Sequence, residues 1–217
     1  MKRSNFLLLA FLCLLCGCFG SSAINTWKNK TVRPRTYNKI LVVGITRQSD
    51  IEVARRVEDH FVQVLNDIGY HAVSSIKEFG PKGLANMEQA ATYKILGEKG
   101  IDAVITMALL EQKTRQYVPA KVKYYSSLYY YNRIFSYKTL LADSTKADAA
   151  HFSSSPYFWE SIFFDIVTLS PVYTAQTKPF NRTTSEAQTE EFGKMIIANM
   201  IKNKIFIWSG KAQRKSN

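Results

Sequence analysis

Three short apolar runs, KILVVGIT at 39–46, YHAVSSI at 70–76 and IDAVITMALLEQ at 101–112, are separated by two stretches of helical periodicity. This alternation constrains the fold more than any other feature of the chain. The first and third runs are apolar at successive positions, as strands covered on both faces are. Between the first two, SDIEVARRVEDHFVQVLNDIG repeats Ala54, Val57, Phe61, Val64, Leu65 and Ile68 at helical spacing. Ser49 and Glu52 form a capping box before that helix, and Gly69 supplies its stop. A loop marked by Gly80, Pro81 and Gly83 leads to a second helix from about Asn86 to Lys99, closed by Gly100. Strands parted by helices return parallel through right-handed crossovers. The sequence therefore predicts an α/β layered sheet whose first half is βαβαβ.

The later part changes character. ESIFFDIVTL and PVYTAQT, joined at Leu169-Ser170-Pro171, read as an antiparallel hairpin with Ile162, Phe164 and Ile166 on one face. A C-terminal helix from about Thr184 to Lys202 carries Phe192, Met195, Ile196, Asn199 and Met200 along one stripe, with Thr183 and Glu186 as its cap. KIFIWS suits a short strand before a basic tail, 209–217, that is expected to fray. The expected single α/β domain spans 38–208.

The start of the chain has another logic. Lys2 and Arg3 precede an apolar run from Phe6 to Cys16, followed by small residues to Ala23. That is the layout of a signal peptide, and eleven helical residues rise about 16 Å, roughly half a hydrocarbon core. Leu15, Cys16, Gly17 and Cys18 resemble the pattern by which bacterial lipoprotein signals are recognised. The resemblance implies removal of 1–17, a diacylglyceryl thioether on Cys18 and acylation, with palmitate-type chains, of the new amino terminus. Cleavage after Ser21-Ser22-Ala23 by the general signal peptidase is the competing reading. Two or three acyl chains, at about 0.8 kcal/mol for each buried methylene, hold a protein durably on a bilayer. Residues 18–37 mix Gly, Ser, Asn, Lys, Arg and Pro without a period, and are expected to be the lipidated cysteine and an extended tether.

All three cysteines, Cys13, Cys16 and Cys18, lie in this region, so the remaining chain must rely on a hydrophobic core rather than disulfides. Removing Lys2 and Arg3 from 29 cations against 17 anions leaves a net charge of +10, a basic surface.

Signals for chemistry are weak by comparison. VVGITRQSDIE, after the first strand, has one glycine and no phosphate-binding loop, although Arg47 beside a helix start suits an anion. His60, His71 and His151 lack a second His or Cys at ligand spacing, so no metal site and no cofactor is expected. Ser153, Ser154 and Ser155 follow His151 but lack a strand-turn-helix setting. Glu111, Glu160, Asp165 and His151 are the residues from which a hydrolase site would be assembled.

The most unusual stretch is KTRQYVPAKVKYYSSLYYYNRIFSYK, residues 113–138, with six cations, no anion and seven tyrosines. Tyr124, Tyr125, Tyr129, Tyr130, Tyr131 and Arg133 form its densest part and the candidate binding surface. Tyrosine offers an apolar face with a polar tip, and the cations attract anionic groups. The plainer alternative is a pair of strands whose tyrosines pack on the sheet.

The order KILVVGIT, ARRVEDHFVQVLNDIGYHAVSS, GIDAVITMALL, a hairpin ending VYTAQT and a closing helix resembles a broad group of bacterial envelope lipoproteins. Their α/β fold is similar to the periplasmic domain of the curli secretion lipoprotein CsgG and to the amino-terminal domain of TolB. The likeness covers about 38–205, and nothing in the chain resembles the membrane-inserting hairpins of a secretion pore. The expectation is a non-catalytic lipoprotein on the periplasmic side of the outer membrane, binding a protein or glycan of the envelope rather than nucleic acid. An envelope hydrolase, or an accessory subunit of a secretion or surface-assembly complex, are the alternatives.

Overall fold

The computed structural model describes residues 25–46, 50–81, 84, 88–111, 156–181 and 185–205. Among these residues, six strands form one mixed sheet: β1 (Asn25–Lys28), β2 (Ile40–Ile45), β3 (Ala72–Ser74), β4 (Ala103–Glu111), β5 (Tyr157–Asp165) and β6 (Ser170–Gln176). The helices are α1 (Ile51–Asp67), α2 (Ser75–Phe79), α3 (Gln89–Glu98) and α4 (Ser185–Lys202). Across the sheet the order is β1-β6-β5-β4-β2-β3. β3, β2 and β4 run parallel, while β4, β5, β6 and β1 alternate in direction.

The order explains where the helices go. From β2 the chain steps outward to β3 through α1, then steps back past β2 to β4 through α3. Right-handed crossovers taken in opposite directions put their helices on opposite faces. Accordingly Val57, Phe61 and Leu65 of α1 pack with Phe192, Ile196 and Met200 of α4 on the face carrying Ile105, Met107, Trp159 and Phe163. Leu96 of α3 packs with Leu41, Val104 and Phe164 on the other face. All nine residues of β5 are buried. Burial of each large side chain in these layers contributes about 1.5–3 kcal/mol relative to exposure.

Close approach needs small residues at two points. A Cβ on Gly44 of β2 would lie 2.8 Å from the Ala54 carbonyl oxygen of α1, so only glycine lets that helix sit on its strand. A Cβ on Gly193 of α4 would come within 2.8 Å of ring atoms of His60 and Phe61, the contact through which α4 rests on α1. The expected stops hold: Gly69 and Gly100 adopt φ 92° and 67°, and the following residues, Tyr70 and Ile101, donate back to the Leu65 and Leu96 carbonyls.

Four expectations change. The tether does not run to residue 37: Asn25–Lys28 pairs antiparallel with β6 as an edge strand. Residues 29–38 then strap across one end of the sheet to reach β2. Asn29 donates from its side chain to the Pro171 carbonyl at 3.1 Å, and the Asn38 and Lys39 amides donate to the Asp102 carboxylate at 3.0–3.2 Å. Composition hides such a strap because its bonds are made by isolated polar side chains. Second, the strand expected over 70–76 is only β3, because Ser74 Oγ accepts from the Lys77 amide and starts α2. Third, the position before α1 is Asp50, not Ser49. Fourth, the hairpin turns at 166–169, where Leu169 takes φ 51°. Ser49, Thr183, the 206–217 ending and residues 1–24 lie outside the described residues.

Candidate functional site

The residues singled out for binding, Tyr124, Tyr125, Tyr129, Tyr130, Tyr131 and Arg133, lie outside the described residues, as do Cys18, Arg47, His151 and Ser153 to Ser155. The strands on either side of the Tyr-rich stretch are β4, ending at Glu111, and β5, opening at Tyr157, and these two residues are paired.

Of the proposed catalytic carboxylates, Glu111 closes β4, while Glu160 and Asp165 lie on β5, where the fold keeps them apart. They sit five residues apart on β5, about 17 Å along a strand, and an odd spacing sends them to opposite faces. Both are completely buried. Glu160 accepts from Gln176 Nε2 at 2.5 Å, a pair formed directly across β5 and β6. Asp165 is tied differently. Its Oδ2 lies 2.8 Å from Arg35 Nε of the strap, and its Oδ1 accepts from the Val167 and Thr168 amides at 2.8 and 2.9 Å, shaping the hairpin turn.

Tyr37 completes this corner. Its hydroxyl donates to Asp165 Oδ2 at 3.4 Å, its ring meets Phe163 edge-on at 4.9 Å, and the Arg35 guanidinium lies 4.8 Å above it. Burial first, and the Asp165 charge second, hold the Tyr37 phenol protonated well above the usual tyrosine range. The arrangement joins the strap, β5 and the start of β4. Its chemistry is that of an internal ion pair.

A third carboxylate escaped the sequence reading. Glu58 of α1 is fully buried and accepts four hydrogen bonds: from the Gly44 amide at 2.7 Å, Ser74 Oγ at 2.5 Å, Ser75 Oγ at 2.6 Å and the Ile76 amide at 2.9 Å. It thereby caps α2 and locks the end of β3 to β2. The available signal was an acidic residue one position after Val57 on the apolar stripe, followed by the paired serines SS at 74–75.

The histidines take plain positions. His60 Nε2 lies 3.2 Å from the Glu190 carbonyl oxygen, and His71 is exposed before β3. Among the described residues, no group of three or more His, Cys, Asp or Glu side chains could hold a metal ion. Among the described residues, Trp159 Nε1 and Ser161 Oγ, both buried, find no hydrogen-bond partner; both lie on the face of β5 that α1 and α4 cover. Among the described residues, no helix is long and apolar enough to cross a membrane.

No protein-family model matches the chain, and no curated protein matches it. Among solved structures, the chain is similar to PelC dodecamers from Paraburkholderia phytofirmans. One, carrying a single substitution, has 9% identity and a TM-score of 0.41 over 80% of this chain and 94% of that one. Another has 10% identity and a TM-score of 0.39 over 85% and 98%. A further likeness is to the lipoprotein GNA1162 from Neisseria meningitidis, at 13% identity and a TM-score of 0.36 over 76% and 98%. These likenesses are too remote to assign a family, and the resemblance to CsgG and TolB remains an expectation of the sequence.

Proposed function

We propose that this chain is a lipid-anchored, non-catalytic protein of the bacterial envelope that binds a protein or glycan partner at the membrane surface. The observation that carries the reading is Leu15-Cys16-Gly17-Cys18, placed seven residues ahead of a strand built into the sheet. The buried carboxylates support the non-catalytic part, because Glu58 and Asp165 are engaged in bonds that hold the fold and Glu160 is paired with Gln176. The outer membrane is the proposed home, since Phe19 and Gly20 place no acidic residue just after the lipid site. The Tyr-rich cationic stretch around Tyr129, Tyr130 and Tyr131 is the proposed partner surface.

Fractionation of cells expressing the full chain tests the anchor. The wild-type protein is expected in the membrane fraction and labelled by palmitate, whereas Cys18→Ser loses both the label and the membrane. Affinity capture from solubilised envelopes tests the partner surface: alanines at Tyr129, Tyr130 and Tyr131 should weaken recovery of the captured component. A Cys18→Ser protein that stays on membranes overturns the anchor, and turnover of a cell-wall or sugar substrate by the purified protein overturns the non-catalytic reading.

A further inference from the structure

The strand register defines the two ends of the sheet. Asn25, the first residue of β1, lies in one row with Gln176, Glu160, Ala108 and Ile45, across β6, β5, β4 and β2. This is the end where the parallel strands finish. At the opposite end Asp165 lies in one row with Ala103, Ile40 and Ala72, beside the strap and the 166–169 turn. β1 thus enters the sheet at the first end and runs toward the second.

Seven chain steps separate Cys18 from Asn25. A chain of that length cannot exceed about 25 Å. The row of Asp165 is five residues beyond the row of Asn25, about 17 Å along the sheet, with the turn projecting further. Bringing the far end to the bilayer would need the connection stretched alongside the sheet to nearly its limit. The near end, which β4 carries three residues or about 10 Å past the row of Asn25, lies well within that reach. β1 itself cannot peel away cheaply, since its four residues are all paired with β6 and Lys28 Nζ donates to the Asn203 carbonyl after α4.

We infer that the domain sits on the bilayer with the ends of β2 and β4 and the beginning of β1 toward the lipid headgroups, and the 166–169 turn away from them. This orientation rests on lipidation at Cys18. The described charge at this end is mixed, with exposed Lys178 two residues beyond Gln176 and exposed Glu52 in the first turn of α1, so the anchor rather than surface charge sets this end toward the headgroups. This is also the end at which open α/β sheets present their ligand crevice, so a soluble ligand would have to approach from the rim beside the membrane.

The cysteine distribution makes the test clean, because Cys18 becomes a thioether and Cys13 and Cys16 leave with the signal. Single cysteines replace two exposed residues, Lys178→Cys at the near end and Val167→Cys at the turn, where Val167 is 65% exposed. The full lipidated chain, labelled with a fluorophore at either position, is reconstituted into phosphatidylethanolamine–phosphatidylglycerol vesicles containing headgroup-quencher lipid, and flotation is scored on the same samples. The expected result is loss of most of the emission from position 178 and little loss from position 167. Floated protein with equal or reversed quenching overturns the orientation while leaving the anchor intact. Protein that neither floats nor carries acyl mass overturns the anchor and the orientation with it.

Discussion

Around Glu58, neutral donors from β2, β3 and α2 converge on one buried carboxylate; around Asp165, a guanidinium from the strap and two turn amides do so. The partners of Glu58 lie within 18 residues along the chain, whereas Tyr37, which shares the Asp165 corner with Arg35, is 128 residues from it. One carboxylate therefore stabilises a local crossover. The other closes the long loop from the amino-terminal strap to the hairpin, and with it fixes where β1 enters the sheet. The same buried group thus serves secondary-structure assembly in one half and chain-end placement in the other.

Removing the acceptor from the first region should have the larger effect. Glu58→Ala leaves four donors, three of them buried, without their acceptor, each buried one costing about 1–3 kcal/mol and not additively, so a loss of about 4 kcal/mol is expected in urea unfolding. A loss under about 1 kcal/mol would mean that the carboxylate does not organise the crossover. Arg35→Ala strands the buried Asp165 charge. Its expected cost is about 3 kcal/mol, at the low end for buried pairs because the Arg35 side chain is 32% exposed. Asp165→Asn added to that variant should recover part of the loss, and strict additivity would break the link between the two residues.

Gly193→Ala probes a contact shared by neither region. Only the His60 and Phe61 side chains must yield, so about 1–2 kcal/mol is expected from the same denaturation measurement. The smallest effect is on Glu78 of α2, 3.4 Å from Lys39 and 3.3 Å from Lys99. Burial pushes its carboxyl up, but the two lysines outweigh burial and hold it below the ordinary value. A lowered folded-state value means that the contribution is present above the unfolded carboxylate range and is lost as pH falls through the lowered one. Glu78→Gln should therefore flatten the acid limb of stability by under about 1 kcal/mol. At the alkaline limit the sign reverses. Burial keeps Tyr37 and Tyr173 protonated in the fold, so stability should fall once unfolded tyrosine ionises, above about pH 10, and Tyr173→Phe should reduce that slope.

The parallel half was legible because its signals are periodic. Val57, Phe61 and Leu65 repeat at helical spacing, the apolar runs of β2 and β4 announce coverage on both faces, and Gly69 and Gly100 punctuate the helices. The strap was not legible, since Asn29, Arg35 and Asn38 act singly and their partners Pro171, Asp165 and Asp102 are distant in sequence. The candidate carboxylate pair failed for a related reason. Sequence shows that Glu160 and Asp165 share a strand, but the pleat, which separates odd from even positions, decides that they never meet. Glu58 was missed because a charged residue next to a helical stripe reads as solvated until its donors are placed around it.

Intact-mass analysis of the mature amino-terminal peptide, purified from membranes, reads directly what is attached at Cys18. The predicted result is a peptide that begins at Cys18 and carries the added mass of a diacylglyceryl group and an amino-terminal acyl chain. A mature chain beginning at Ile24, with no acyl mass, would contradict it.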